Sequence, residues 1–204
     1  MMNIKWMIIP AIFFCPKPAY SQEEEIIDVR NVSKVTIFNP GVSYELKIGK
    51  RQTLYAQAFM NVSAYYSYSS ALGTQSGVNL HPAATLQYRY YYNSMTRYEK
   101  GRRTEMNSMN FLAPFFETYF VKQKSDYYIF ENNFRPYTTV GVVWGFQRNY
   151  TNRFSLDFLI GPGYYFTKEE YYNPAEPSVK ISQSYSDFSL IAQINIGFWL
   201  NKKH

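Results

Sequence analysis

SDFSLIAQINIGFWL, residues 186–200, places Phe188, Leu190, Ala192, Ile194, Ile196, Phe198 and Leu200 on one parity, and Ser189, Gln193, Asn195 and Gly197 on the other. Successive side chains of a strand point to opposite faces, so this segment is a strand with one oily flank and one polar flank. Working outward from it, the same period of two recurs through the chain. In 153–166, Phe154, Leu156, Phe158 and Ile160 oppose Ser155, Asp157 and Gly161; in 138–148, Val140, Val142, Trp144 and Phe146 oppose Thr139, Gly141, Gly145 and Gln147. Segments 84–92, 54–64 and 42–48 repeat it, with Arg89 and Gln87, Gln57 and Asn61, and Glu45 and Lys47 on their polar flanks. Segment 110–122 is apolar on both parities, with Glu117 its one carboxylate and Pro114 removing a ladder donor. Residues 31–38 supply an eighth strand, ended by the turn signal Asn39-Pro40-Gly41.

Eight strands at short spacing, with helical periodicity nearly absent, predict an all-β fold. The expected architecture is an eight-stranded antiparallel up-and-down transmembrane β-barrel with a polar, side-chain-filled interior over 31–200. Aromatic residues make up 20% of the chain, 21 of them Tyr, yet mean hydropathy is −0.36. A membrane barrel needs that combination: an apolar outward band, amphipathic rings at two rims, and a polar bore. A water-soluble barrel or sandwich has the same periodicity with inside and outside exchanged, so a lipocalin-like periplasmic binding barrel stays open at this point. Arg89 among several carboxylates favours the membrane form, because charges sealed in a bore need partners. The inward candidates for such a lumen network are Glu45, Lys47, Arg89, Glu117 and Asp157.

The first residues read as a leader. Lys5 precedes the apolar run WMIIPAIFFC (6–15), and Ala19-Tyr20-Ser21 gives a small-x-small cleavage pattern, predicting a signal peptide over 1–21. The run is half the length of a spanning helix and is interrupted by Pro10. Cys15 raises a lipoprotein alternative, but Ile12-Phe13-Phe14 before it lacks small residues. Cleavage would remove the one cysteine and would lower the formal net charge of +6 by two, through Lys5 and Lys17. Residues 22–30 are expected as an N-terminal leader of the mature chain and 201–204 as a tail. No nucleic-acid module accompanies the mild basic excess, so no nucleic acid is expected as a partner.

Connection lengths orient the strands, since bacterial barrels have short periplasmic turns and long outer loops. Gly49-Lys50-Arg51 and Tyr150-Thr151-Asn152 are brief; 67–81, 123–136 and 167–184 are long, polar and Tyr-bearing, with Tyr65, Tyr66, Tyr68, Tyr127, Tyr128, Tyr171 and Tyr172 in or beside them. Those tyrosines suit a rim girdle or a contact surface. Two connections break the rule: the short NPG turn, and the long 93–109, which carries a helical turn through Thr96 to Lys100 and the basic group Arg97, Lys100, Arg102 and Arg103.

The runs NPGVSYELKIGKRQTLY (39–55), LQYRYYYNSMTRYEKGRRTEMNSMNFLAP (86–114), VVWGFQRNY (142–150) and FSLDFLIGPGYYF (154–166) resemble the small outer-membrane β-barrel proteins of Bacteroidota. The resemblance implies a barrel in the outer membrane, and it carries no catalytic motif; outer-membrane lipids are the expected partners and a monomer the expected state. Met109 stands where that family often has Gly, and Asn201 to His204 follow the usual terminal aromatic region. A catalytic reading, as in barrel enzymes that modify lipid A, rests on His81. Its same-face neighbours are Ala83 and Thr85, so the His-x-Ser spacing of the deacylase type is missing. Two histidines and scattered carboxylates give no metal-ligand spacing, and no cofactor is expected. The expected role is structural, accessory or surface-binding in the outer membrane, alone or beside a partner protein, rather than enzymatic.

Overall fold

The computed structural model describes residues 29–69, 73–122, 134–173 and 176–202; the expected signal peptide, most of 22–30, Tyr127, Tyr128 and His204 lie outside them. Eight strands follow in chain order: β1 (Val32–Thr36), β2 (Gly41–Gly49), β3 (Gln52–Ser69), β4 (Gly73–Tyr91), β5 (Asn110–Lys122), β6 (Phe134–Asn149), β7 (Phe154–Asn173) and β8 (Glu176–Trp199). Each pairs antiparallel with its neighbour in sequence, and β1 pairs with β8 through Lys34↔Trp199, Val35↔Phe198 and Thr36↔Gly197, closing the ring into a barrel. Closure brings strands very near each other at this seam. A Cβ on Gly197 would lie 2.0 Å from the Val35 carbonyl oxygen, so only glycine fits there.

The parities fall as expected. Val142, Ile194, Leu190 and Leu86 are exposed on the outer wall, while Glu45, Arg89, Gln87 and Asp157 are buried within. Outward aromatics Tyr88, Tyr90, Tyr92, Trp144 and Tyr150 mark the end where both described termini lie, the lower end here; the Trp144 indole donates to the Tyr92 hydroxyl at 2.7 Å.

Three differences from the sequence reading stand out. First, 67–81 and 167–184 are mostly strand rather than long loops: the β3–β4 ladder runs to Ser69↔Gly73, and β7–β8 to Asn173↔Glu176. Alternation fades there because ladder bonds need no side-chain contrast, and both faces carry polar residues. Second, the interior is not purely polar. Tyr91, Met109, Phe111, Ala113, Phe115, Val143, Leu159 and Ile191 pack with Val29 into a buried apolar cluster along one wall. Gly145 makes room for it: a Cβ there would meet Phe111 Cζ at 2.5 Å. The two-sided apolarity of 110–122 is thereby explained, one parity facing out and the other filling the bore. Third, 93–109 is a floor. It holds a short helix α1 (Ser94–Glu99) and a 3-10 turn (Glu105–Asn107), and Asn107, Ser108 and Met109 are buried under the barrel. Residue 30 docks onto it reciprocally, the Arg30 N–H donating to Asn107 Oδ1 and Asn107 Nδ2 to the Arg30 carbonyl, both at 2.8 Å.

The short NPG turn is confirmed as a turn over 37–40, with Asn39 at φ 55°, a left-handed conformation that Asn tolerates. No helix among the described residues is long and apolar enough to cross a membrane.

Candidate functional site: a neutral ionic lock below an open vestibule

Lys34 of β1, Glu45 of β2, Arg89 of β4 and Asp157 of β7 converge just above the floor, each 0–3% exposed. Lys34 Nζ donates to Asp157 Oδ2 at 2.8 Å and Oδ1 at 3.1 Å. Arg89 Nη1 stands 3.9 Å from Glu45 Oε2 and 4.0 Å from Asp157 Oδ2, bridging the two carboxylates. Two cations and two anions cancel, which is the condition for sealing charge away from water. Neutral groups complete the set. Thr53 Oγ1 and the Tyr91 hydroxyl donate to Glu45 Oε1 at 2.6 and 2.5 Å; Arg89 donates to Gln87 Oε1 at 2.8 Å and Gln147 Oε1 at 2.7 Å. The guanidinium lies between the Tyr55 ring, 3.6 Å from its centroid, and the Phe111 ring at 4.4 Å, a cation–π sandwich available to a planar cation. Gln147 Nε2 also reaches the Met106 carbonyl at 3.2 Å, tying the lock to the floor.

Of the five lumen residues expected from sequence, the structure brings Glu45, Arg89 and Asp157 together. Lys47 is exposed at the lower end of β2, beyond the enclosed section. Glu117 sits apart, half-buried in the upper bore, where its Oε2 accepts from Thr85 Oγ1 at 2.8 Å. The missed member is Lys34. Its signal was present: Val35 and Ile37 on one parity leave Lys34 and Thr36 on the other, so a lysine points inward from 31–38.

Above the lock, Phe59, Phe115 and Ile191, each at most 7% exposed, form an apolar layer. They are the bottom of a cavity of about 370 Å³ whose polar lining includes Asn61, Glu117, Thr139, Ser189 and Gln193. A row of rings climbs the inner wall beside it: Tyr119 stacks on Tyr137 at 5.2 Å, Tyr137 on Tyr165 at 5.9 Å, and His81 tilts against Tyr119 at 6.3 Å. His81 is therefore an inner-wall residue, opposite Asn61 in the ladder, with the Tyr119 ring as a neighbour. No group of His, Cys, Asp and Glu among the described residues is placed to hold a metal ion.

The basic group of 93–109 is partly self-satisfied. Arg97 donates from Nε and Nη2 to the Arg103 carbonyl at 3.3 and 3.0 Å, and Arg103 pairs with Glu105 at 2.8 Å. Partial burial and the neighbouring Arg102 lower the Arg97 pKa from its ordinary value.

A family model described as Protein of unknown function (DUF3575) matches residues 11–200. The chain belongs to this family. No curated protein and no solved structure matches it. The match covers every strand of the ring and the floor, so family membership extends over the whole barrel.

Proposed function

We propose that the protein is an integral outer-membrane β-barrel with a structural, accessory or surface-binding role, exported through its N-terminal segment, and not an enzyme. The observation that carries this reading is the distribution of polarity about the wall. Val42, Leu46, Leu86, Leu112, Phe116, Val142, Ile160, Leu190 and Ile194 are exposed on the outside of six different strands, while a lysine, an arginine and two carboxylates are buried at the centre. In water such a molecule would expose its oil and bury its charge. In a bilayer both find their proper surroundings. The outward tyrosines and Trp144 at the lower end fit the headgroup level of one leaflet. The resemblance to small outer-membrane barrels of Bacteroidota agrees with that placement, and with a lower end, where both described termini lie, facing the periplasm.

The bore is filled, first by the floor, then by the ionic lock, then by the Phe59–Phe115–Ile191 layer. An eight-stranded ring leaves room for side chains and little else, so the protein is not a pore. Carbonate extraction of membranes from expressing cells tests the reading: the protein should stay in the pellet, and unboiled samples should migrate differently from boiled ones on a denaturing gel. Release into the supernatant would refute it and favour a soluble barrel.

A further inference from the structure

The strands bordering the seam differ greatly in length. β1 has 5 residues and β2 has 9, whereas β3 has 18 and β8 has 24. The last rungs at the top of the short hairpin are Thr36↔Gly197 on one side and Gly41↔Phe59 on the other, with the Ile37 N–H reaching the Ile196 carbonyl at 2.8 Å and the Met60 N–H the Pro40 carbonyl at 2.8 Å. Above those rungs β3 pairs only with β4, and β8 only with β7. The wall is therefore notched between β3 and β8, with the turn 37–40 as its sill.

The vestibule opens into this notch. Its lining combines inward residues, such as Asn61, Glu117 and Gln193, with outward ones, Phe38, Val62, Leu190 and Ile194, whose side chains are 40–66% exposed on the outer wall. A cavity confined to the bore would not be lined by both parities of one strand. In ring order β5 lies across from β1, so Glu117 faces the notch from the far wall. Among the described residues, Glu117 has no ion-pair partner and no Lys or Arg lines the cavity. Phe59, Phe115 and Tyr119 add ring surface to the same lining, and the buried Gln193 Oε1 has no hydrogen-bond partner among the described residues. One carboxylate, an unmatched amide oxygen and aromatic walls suit a group that is cationic and donates hydrogen bonds.

We propose that this notch admits, sideways from the membrane, an amphiphile with an ammonium head: the head lodges against Glu117 and Gln193 while its apolar tail leaves past Val62, Leu190 and Ile194 into the lipid. Volume supports the division. About 370 Å³ is near the lower limit for small-molecule sites, enough for a head and a few carbons but not for a long chain. The inference rests on the membrane reading above.

The test uses the full-length barrel, purified in neutral detergent, with dodecylamine, dodecanoic acid and butylamine as probes, read by native mass spectrometry. Dodecylamine should be retained, dodecanoic acid should not, and butylamine should bind at least tenfold more weakly than dodecylamine because it lacks the tail. Glu117→Gln should weaken dodecylamine at least tenfold. Ala192→Trp, at the outer lip, should weaken it too; Gln193→Leu serves as a second head-group variant should Glu117→Gln fail to fold. Equal retention of the acid, undiminished binding by both head-group variants, or butylamine matching dodecylamine would overturn the proposal. A protein released by carbonate overturns the membrane reading itself; one retained in the membrane whose two head-group variants bind dodecylamine undiminished overturns this inference alone.

Discussion

Asp157→Asn is the sharpest probe of the ionic lock. It preserves shape and one hydrogen-bond acceptor while deleting a charge, so the enclosed set passes from neutral to a net excess of one cation, with Lys34 stranded 2.8 Å from an amide. At that separation, and with an effective dielectric of about 20, the gross attraction lost is about 6 kcal/mol. Desolvation of the carboxylate, several kcal/mol, is no longer incurred and offsets part of it. Breaking one partner of a buried pair costs about 3–5 kcal/mol, and the retained acceptor puts Asn near the lower value, roughly a 100-fold shift toward the unfolded state. Urea titration of the barrel in lipid vesicles, followed by tryptophan emission, reads this directly, since the inward Trp199 sits opposite Lys34 in the seam. The double variant Lys34→Met/Asp157→Asn removes the stranded cation and should recover at least half of the loss. A single-variant loss under about 1 kcal/mol, or a double variant as unstable as the sum of its singles, would refute the reasoning.

Other consequences are open to simpler measurement. Gly197→Ala forces a Cβ against the Val35 carbonyl at the closing seam and should abolish the gel-mobility difference between boiled and unboiled protein; Gly101→Ala, at φ 61° with open space around it, should cost only about 1–2 kcal/mol. Val142→Arg, on the exposed outer wall, should destabilise the barrel in vesicles by about 2–4 kcal/mol, with a much smaller effect in a soluble protein. In planar bilayers the wild type should pass no steady ion current, because the floor, the lock and the apolar layer lie in series; discrete conductance steps would show the bore to be open.

Much of the barrel could be read from the chain because the wall separates two environments, and that separation imprints a period of two. Segments 186–200 and 138–148 carry it clearly, and their parities are those of the structure. Where the separation ends, so does the signal: the upper parts of β3, β4, β7 and β8 are polar on both faces and look like loops. Glu45, Arg89 and Asp157 could be assigned to one face of the wall by parity alone; that this face is the enclosed one took the closed ring. Lys34 was harder, since five residues make a short pattern and the inward Val32 blurs it. Lys47 shares the inward parity but lies too near the end of β2 to be enclosed; parity gives direction and not height. The notch was beyond reach for a similar reason, because it depends on which rungs of neighbouring ladders are the last, and pairing register leaves no trace in the pattern of a single strand.

The membrane placement requires the outer wall to meet hydrocarbon. Nitroxide labels on single cysteines at positions 142 and 194, in the barrel reconstituted into vesicles, report which medium surrounds each side chain through collision with oxygen or with a water-soluble nickel chelate. Both labels should be relaxed strongly by oxygen and weakly by the chelate. Strong relaxation by the chelate at both positions would place the oily wall in water and contradict the account.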